Sequence, residues 1–166
     1  MGRTWPYLVL LLPPLFWAGN FIVGRAFASD LGAITMSFYR WLFALCLLLP
    51  FAFQTVRREL PVIINNLPIL TILALLSVAS FNVLLYLGLR DTEATNALLI
   101  NSSIPVWIVL FGVLFFKDTL SARRGAGILV SLIGVAYLIL SGQSDHLTVN
   151  PGDLWVISSS IGWALY

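Results

Sequence analysis

The sequence predicts an all-α fold: a polytopic bundle of transmembrane helices with five complete spans and the start of a sixth. Of the 166 residues, 60% are hydrophobic and only 10% are charged. Soluble domains carry about 25% charged residues, so a chain this apolar cannot cover a globular surface with polar groups. The apolar residues are also gathered into long stretches, each long enough to cross a membrane. We therefore expect the lipid bilayer to surround the protein.

Five apolar stretches account for the complete spans. At a rise of about 1.5 Å per residue, stretches of roughly 19–23 residues cover a hydrocarbon core of about 30 Å. Backbone polar groups in lipid must be hydrogen-bonded within the chain, which favours helices. The linkers are expected to be short, the longest being residues 54–66, so that neighbouring helices are antiparallel. The predicted spans cover residues 7–28, 33–53, 67–89, 94–116 and 123–141.

Residues that cap or bend helices lie where this arrangement needs them. Asn66 precedes the third span and Ser121 precedes the fifth, and both residue types favour the N-cap of a helix. Pro13 and Pro14 lie within the first span and Pro105 within the fourth. Each proline removes a backbone hydrogen bond, so these two spans are expected to be kinked.

A sixth apolar segment follows Asn150, and Pro151 suits its first helical turn. The remaining residues 154–166 cover only about 20 Å, which falls short of a core of about 30 Å. The sequence is therefore expected to be a fragment of a longer protein. Residues 1–150 are predicted to form a first five-helix repeat, and residues 151–166 the truncated start of a second repeat.

A short internal repeat supports this division of the chain. Trp17-Ala18 in the first span corresponds to Trp163-Ala164 in the sixth segment. An odd number of spans separates the two pairs, so the second copy is expected to be inverted in the membrane. Inverted repeats are a transporter architecture, with the substrate site near the midplane between the halves. The spacing predicts a ten-helix parent protein.

Basic residues are distributed unevenly between the two sides of the membrane. Six of them flank one side, whereas the opposite side has only Arg25 and Arg90. The positive-inside rule then places the amino terminus in the cytoplasm, and we expect a multi-pass protein of the plasma membrane, the bacterial inner membrane. A cleaved signal peptide is less favoured, because the first span is longer than the usual apolar region of 7–15 residues. The basic residues on the cytoplasmic side are Arg3, Arg57, Arg58, Lys117, Arg123 and Arg124.

Few polar side chains lie deep in the predicted spans, and four of them lie at a similar depth. Asn20 and Asn82 are about 20 Å from the cytoplasmic side, and Arg40 and Asn101 are about 10–12 Å from the opposite side. These residues come from four different helices, as a polar cavity within a bundle requires. Trp17 lies near Asn20 and is expected to line the same cavity. The predicted substrate-binding residues are Trp17, Asn20, Arg40, Asn82 and Asn101.

Each of these residues has a simpler interpretation. An asparagine within a span often joins two helices by a hydrogen bond worth about 0.6–2 kcal/mol. Arg40 lies at a depth from which a long side chain can extend to the membrane interface. No acidic residue lies in a complete span, so the sequence indicates no proton-carrying carboxylate in this part of the protein.

Enzyme chemistry is not expected. Cys46 and His146 are the only cysteine and histidine, so no cysteine–histidine metal site, no nucleophile–histidine pair and no cofactor is predicted. No catalytic or metal-binding residue is therefore assigned. The net charge of +2 is attributed to the residues that fix topology, and nucleic acid is not expected as a partner.

Taken together, these features resemble the drug/metabolite transporter superfamily, in particular its EamA-like ten-helix members, over about residues 7 to 141. The pattern is carried by Trp17-Ala18-x-Asn20-Phe21 in the first helix and Arg40-Trp41 in the second, continued by residues 82–88 and 94–105. Asp118-Thr119-Leu120-Ser121 then leads into Gly127 and Gly134 of the fifth helix. After the fourth helix, where such proteins often carry a glutamate, this chain has Lys117-Asp118.

The resemblance implies a secondary transporter, usually an exporter of small metabolites, amino acids or drugs, that works by alternating access. It implies a small-molecule substrate without identifying it. The missing carboxyl-terminal repeat, or a second copy of the chain, would complete the protein. The alternatives are a small membrane protein that assembles with a partner chain without transporting anything, and an inactive truncated product.

Overall fold

The computed structural model describes residues 5–117, 119–141 and 150–166, which are helical almost throughout. No strand occurs within these ranges, and the all-α prediction is confirmed. Arg3, Asp118 and His146, on which predictions were made, lie outside the described residues. A π-helical turn at Leu75–Ser80 separates the fourth helix from the fifth. The helices are α1 (Trp5–Leu10), α2 (Leu12–Ala26), α3 (Ala33–Asn65), α4 (Leu67–Ala74), α5 (Phe81–Asp91), α6 (Ala94–Asn101), α7 (Ile104–Phe116), α8 (Ala122–Ser141) and α9 (Pro151–Leu165).

Among the described residues, three helical stretches are long and apolar enough to cross a membrane, by length and composition alone. They cover Ala33–Asn65, Leu67–Asp91 and Ala94–Phe116, and so contain the second, third and fourth predicted spans. Helix α2 lies within the first predicted span, α8 coincides with the fifth apart from one additional residue at its start, and α9 begins at Pro151. Large apolar side chains cover the outside of the bundle, as on α3, where Phe51 is 88% exposed. Such a surface is suited to contact with lipid.

Helix α3 is longer than its predicted span. The predicted linker at residues 54–66 is wrong, because the helix continues without interruption to Asn65. Its 33 residues extend about 50 Å, well beyond a core of about 30 Å. The charged residues at 57–59 end the apolar stretch, but arginine and glutamate are good helix formers and do not end the helix.

The first and fourth spans are interrupted beside the prolines from which kinks were predicted. The first span is divided at Leu11, and Pro13 and Pro14 lie in the first turn of α2. The fourth span is divided at Ser102 and Ser103, immediately before Pro105 in the first turn of α7. In both spans the missing proline N–H interrupts the helical hydrogen-bond pattern, and the chain resumes a helix with proline near its amino terminus.

Of the two predicted caps, one is confirmed. The Ser121 hydroxyl accepts a hydrogen bond from the Arg124 backbone N–H at 3.4 Å. Asn66 does not cap α4 with its side chain. Its amide nitrogen instead donates to the Val62 carbonyl at 2.8 Å, so this side chain completes the end of α3.

Helix α9 lies against α5, α6 and α7. Its closest approach is to α5, where Gly88 faces Gly152 and Val156. A Cβ on Gly88 would lie 2.7 Å from the Gly152 carbonyl oxygen and 2.6 Å from Cγ2 of Val156. A Cβ on Gly152 would lie 2.6 Å from the Gly88 carbonyl oxygen. The two helix backbones are therefore in contact, and no side chain larger than hydrogen fits between them.

Polar groups secure one end of this contact. The Thr92 hydroxyl donates to the Asp153 carboxylate at 2.5 Å, and each of these residues is 2% exposed. Asp153 lies in the first turn of α9, where the helix dipole favours a negative charge. The Asn150 amide nitrogen donates to the Asp91 carbonyl at 2.6 Å, while its oxygen accepts from the Gly152 N–H at 2.9 Å. The end of α5 is thereby bonded to the start of α9.

Arg25 joins a third helix to the same region. Its Nη1 atom donates to the carbonyl oxygens of Leu89 and Arg90, both at 2.6 Å. These carbonyls belong to the last turn of α5, where a positive charge is favourable. The end of α2 is thus bonded to the end of α5.

Replacement of Gly88 by alanine is expected to destabilise the protein, because its methyl group would collide with backbone atoms of α9. Overpacking of this kind costs about 1–3 kcal/mol. The melting temperature of the full-length protein in detergent measures the effect. Gly127→Ala in α8 is the matched control, since a Cβ there would meet nothing within 4 Å. Equal melting temperatures for the two variants would contradict the close contact of α5 with α9.

Candidate functional site

A cavity of about 320 Å³ lies among α2, α3, α5 and α9. Four of the five predicted substrate-binding residues line it: Trp17 and Asn20 from α2, Arg40 from α3 and Asn82 from α5. The structure therefore gathers side chains that are separated by as many as 65 positions in the sequence. The complete lining consists of Pro13, Phe16, Trp17, Asn20, Arg40, Trp41, Phe81, Asn82 and Trp163.

Arg40 is the centre of a hydrogen-bond network beside this cavity. Its Nη1 atom donates to Oδ1 of Asn82 at 2.7 Å and to the Tyr86 hydroxyl at 2.9 Å. The Tyr86 hydroxyl in turn donates to Oδ1 of Asn20 at 2.9 Å. Tyr86 is 1% exposed and thus connects α2 to α3 from within the core. Hydrogen bonds to a charged group contribute about 1.5–3 kcal/mol each, so this network holds the three helices in a defined arrangement.

The π-helical turn orients the Asn82 amide. The Asn82 nitrogen donates to the carbonyl of Val78 at 2.9 Å and to that of Ser77 at 3.4 Å. Both carbonyls lie in the π-helical turn that precedes α5. Because the Asn82 nitrogen donates to these backbone carbonyls, the Asn82 oxygen faces the Arg40 guanidinium and accepts its hydrogen bond. Single π-helical turns within α-helices are frequent at functional sites.

The Arg40 guanidinium is hydrogen-bonded to neutral oxygen atoms, which leave its positive charge in place. In the part of the chain that the structure describes, the only ion pair is Arg58–Glu59, at 3.0 Å on an exposed surface of α3. The guanidinium carbon of Arg40 also lies 5.8 Å from the ring centroid of Trp41, within range of a cation–π interaction. An arginine at the centre of a membrane helix costs about 2.5–3.5 kcal/mol on translocon-insertion scales. The hydrogen bonds with Asn82 and Tyr86 direct the Arg40 side chain towards α5, whereas snorkelling would direct it to the membrane interface.

Aromatic side chains form the apolar wall of the cavity. Phe81 and Trp163 have ring centroids 4.7 Å apart, and Trp17 lies 6.2 Å from Phe81. The rings of Trp17 and Trp163 meet edge to face, with their centroids 5.9 Å apart. These two tryptophans are the corresponding residues of the short internal repeat, so the repeated segments contact each other at the cavity.

Asn101 lies outside this cavity. It is 6% exposed at the end of α6, and its Oδ1 atom accepts a hydrogen bond from the Ser160 hydroxyl of α9 at 3.1 Å. The Val156 carbonyl oxygen lies 3.0 Å from the same hydroxyl and shares its one proton. This contact joins two helices, the simpler role considered for an asparagine within a span.

Tyr86, Trp41, Phe81 and Trp163 were not among the predicted site residues. The position of Tyr86 was a usable indication, because it follows Asn82 by four residues and so lies on the same helix face. Trp163 belongs to the internal repeat but was not assigned to the cavity. Phe81 and Trp41 lie within apolar stretches, where nothing in a single sequence separates a cavity-lining aromatic side chain from one that faces lipid.

The model of the EamA-like transporter family matches residues 4–140. An uncharacterized transporter of Archaeoglobus fulgidus is 30% identical over 162 residues, covering 96% of this chain and 55% of that protein. An uncharacterized transporter of Methanothermobacter thermautotrophicus is 27% identical, covering 99% of this chain and 52% of that protein. The Arabidopsis thaliana protein WALLS ARE THIN 1 is 32% identical over 141 residues, covering 83% of this chain and 36% of that protein.

No solved structure matches the chain. The chain spans about half the length of the archaeal relatives. The family match covers the first four predicted spans and all but the last residue of the fifth, and it includes all of the residues predicted to bind substrate. The chain is a multi-pass membrane protein that belongs to the EamA-like transporter family of the drug/metabolite transporter superfamily.

Proposed function

We propose that the chain forms the first repeat, and the start of the second, of a secondary transporter. The complete protein exports small metabolites, amino acids or drugs by alternating access. The observation that carries this proposal is the cavity at which Arg40, Asn20 and Asn82 meet among helices of a transporter-family bundle. Charged residues within a membrane bundle mark substrate or ion pathways, and the size of this cavity suits a small molecule.

The internal repeat supports an inverted-repeat architecture. Trp17 and Trp163 occupy corresponding positions in the two repeated segments, and their rings are in contact. Residues close to a pseudo-two-fold axis meet their own counterparts in this way, and transporters of this type bind substrate near that axis. The boundary between the repeats is proposed at Asn150, which is the N-cap of α9.

Two interruptions of helix geometry lie beside the cavity and support alternating access. The break at Leu11 precedes Pro13, and the π-helical turn precedes Asn82. Both Pro13 and Asn82 line the cavity. Interrupted helices at membrane depth can bend without losing further backbone hydrogen bonds, which suits helices that move during transport.

Replacement of Arg40 or Asn20 by alanine in the full-length protein is expected to impair export. Arg40→Ala removes hydrogen bonds of a charged group, and each is worth about 1.5–3 kcal/mol, which corresponds to a fall in rate of about tenfold or more. Asn20→Ala removes the neutral hydrogen bond from the Tyr86 hydroxyl, so a smaller fall is expected. The measurement is the initial rate of efflux for a substrate found by screening amino acids and drugs in cells that lack or overproduce the protein.

Two matched controls accompany these variants. Arg57→Ala removes an exposed arginine from the same helix as Arg40, and Asn66→Ala removes an exposed asparagine. Both are expected to export at the normal rate. Membrane abundance is measured for every variant. Normal efflux in both cavity variants at normal abundance would refute the assignment of the site.

Replacement of Tyr86 by phenylalanine is expected to uncouple Asn20 from Arg40, because only the bridging hydroxyl is lost. A double-mutant cycle of Tyr86→Phe with Asn20→Ala, read by melting temperature in detergent, should give a coupling energy of about 0.5–3 kcal/mol. A cycle of Tyr39→Phe with Asn20→Ala is the control, since Tyr39 is 52% exposed on α3. Additive effects in the Tyr86 cycle would show that the bridge contributes nothing.

The proposed orientation, with the amino terminus in the cytoplasm of a bacterial cell, is tested by cysteine labelling. In a Cys46→Ser background, Ser29→Cys between α2 and α3 should react with a membrane-impermeant maleimide on intact cells. Glu59→Cys, on the extended part of α3, should react only after the membrane is permeabilised. The reverse pattern of labelling would overturn the orientation.

A further inference from the structure

Arg40 gives the cavity a positive charge that no lining residue neutralises. It is the only ionisable side chain among the residues that line the cavity, and the other polar members, Asn20 and Asn82, are neutral amides. A cationic ligand would therefore meet like charge, whereas an anionic ligand would meet an opposite charge in a largely apolar setting.

The unused donors of Arg40 define the shape of the matching group. A guanidinium has five N–H donors, and the contacts with Asn82 and Tyr86 both use Nη1. Among the described residues, neither Nε nor Nη2 has a hydrogen-bond partner. These two nitrogens form the edge of the guanidinium that binds the two oxygens of a carboxylate side by side.

The aromatic wall defines the remainder of the ligand. The ring centroids of Trp17, Phe81 and Trp163 lie 4.7–6.2 Å apart. A planar apolar group can pack against the faces and edges of these rings. Aromatic cages commonly bind organic cations. In this cavity the cation beside an aromatic ring is Arg40 itself, whose guanidinium carbon lies 5.8 Å from the Trp41 ring centroid. The volume of about 320 Å³ is near the lower end of small-molecule sites and suits a ligand with one ring system.

A second, wider cavity of about 740 Å³ has the same sign of charge. Its lining includes Arg25 and Arg90 with a single carboxylate, Asp91. The excess of positive charge there would raise the local concentration of anions near the bundle.

We infer that the cavity at Arg40 is selective for small carboxylates with a planar apolar body and without an ammonium group. This inference rests on the proposed function and specifies its substrate class. The carboxylate binds to Nε and Nη2 of Arg40, and the ring lies against Trp17, Phe81 and Trp163. An amino acid binds less tightly than the corresponding acid, because no carboxylate among the lining residues is available to its ammonium group.

The test is a comparison of three ligands that share one ring and one chain length. Binding of 3-phenylpropionate, 3-phenylpropionamide and phenylalanine to the full-length protein in nanodiscs is measured by isothermal titration calorimetry. The anion is expected to bind about tenfold or more tightly than either of the other two, as a charge-assisted bidentate contact requires. Equal dissociation constants, tighter binding of phenylalanine, or no binding of 3-phenylpropionate would overturn the inference.

Variants of Arg40 test whether this residue causes the preference for the anionic ligand. Arg40→Ala should remove the preference for the anion, and Arg40→Lys should retain only part of it, because lysine keeps the charge but lacks the paired donors. Arg57→Ala is the control, and it should bind the three ligands with the same dissociation constants as the unmodified protein. Full selectivity in Arg40→Lys would refute the bidentate contact, and the comparison of ligands on the unmodified protein stands even if a variant fails to fold.

Transport is measured separately in proteoliposomes, which distinguishes the two proposals. Selective binding of 3-phenylpropionate without efflux of any substrate would overturn the transport function and leave the binding site. Efflux of other substrates that depends on Arg40, without selective binding of the anion, would overturn the inference and leave the transport function.

Discussion

The backbone contact between α5 and α9 is the constraint on which the other features of the bundle depend. Gly88 and Gly152 allow the two helices to touch, and a Cβ on either glycine would lie within 2.7 Å of a carbonyl oxygen of the other. This contact places α9 against α5, α6 and α7. It thereby brings Trp163 to the cavity and Ser160 to Asn101. The buried pair Thr92–Asp153 then forms at one end of the same contact.

Another part of α5 binds the charged side chain of Arg40. Asn82 and Tyr86 lie one helical turn apart and present two oxygen atoms to Arg40. The Asn82 nitrogen donates to the Val78 carbonyl of the π-helical turn, so the amide directs its oxygen, and not its donor, to the cation. The result is a positive charge that is held in place by neutral partners. A carboxylate partner would have fixed Arg40 equally well, but it would have cancelled the charge that a substrate can use.

Much of the fold could be predicted from the sequence because lipid imposes strong and local rules. Long apolar stretches must be helical, and the first and fourth spans are interrupted next to Pro13 and Pro105, as predicted. Pro50 and Pro61, in contrast, lie within α3 without interrupting it. The end of α3 could not be predicted in this way. Charged residues mark where a chain leaves the membrane, but they do not stop a helix, so α3 continues to Asn65. Asn66 was likewise predicted as a cap for α4, whereas its side chain completes α3.

The sequence by itself determined the class of the protein and the approximate depth of its polar residues. Depth follows from counting residues along a helix, so four side chains could be placed near one level of the membrane. Rotation of each helix about its axis depends on packing, and only the tertiary structure decided it. That rotation directs Asn20, Arg40 and Asn82 into one cavity and turns Asn101 towards Ser160 instead. It also places Tyr86 between Asn20 and Arg40, because the bridge requires three helices to meet at hydrogen-bond distance, and no pattern within a single helix encodes that distance.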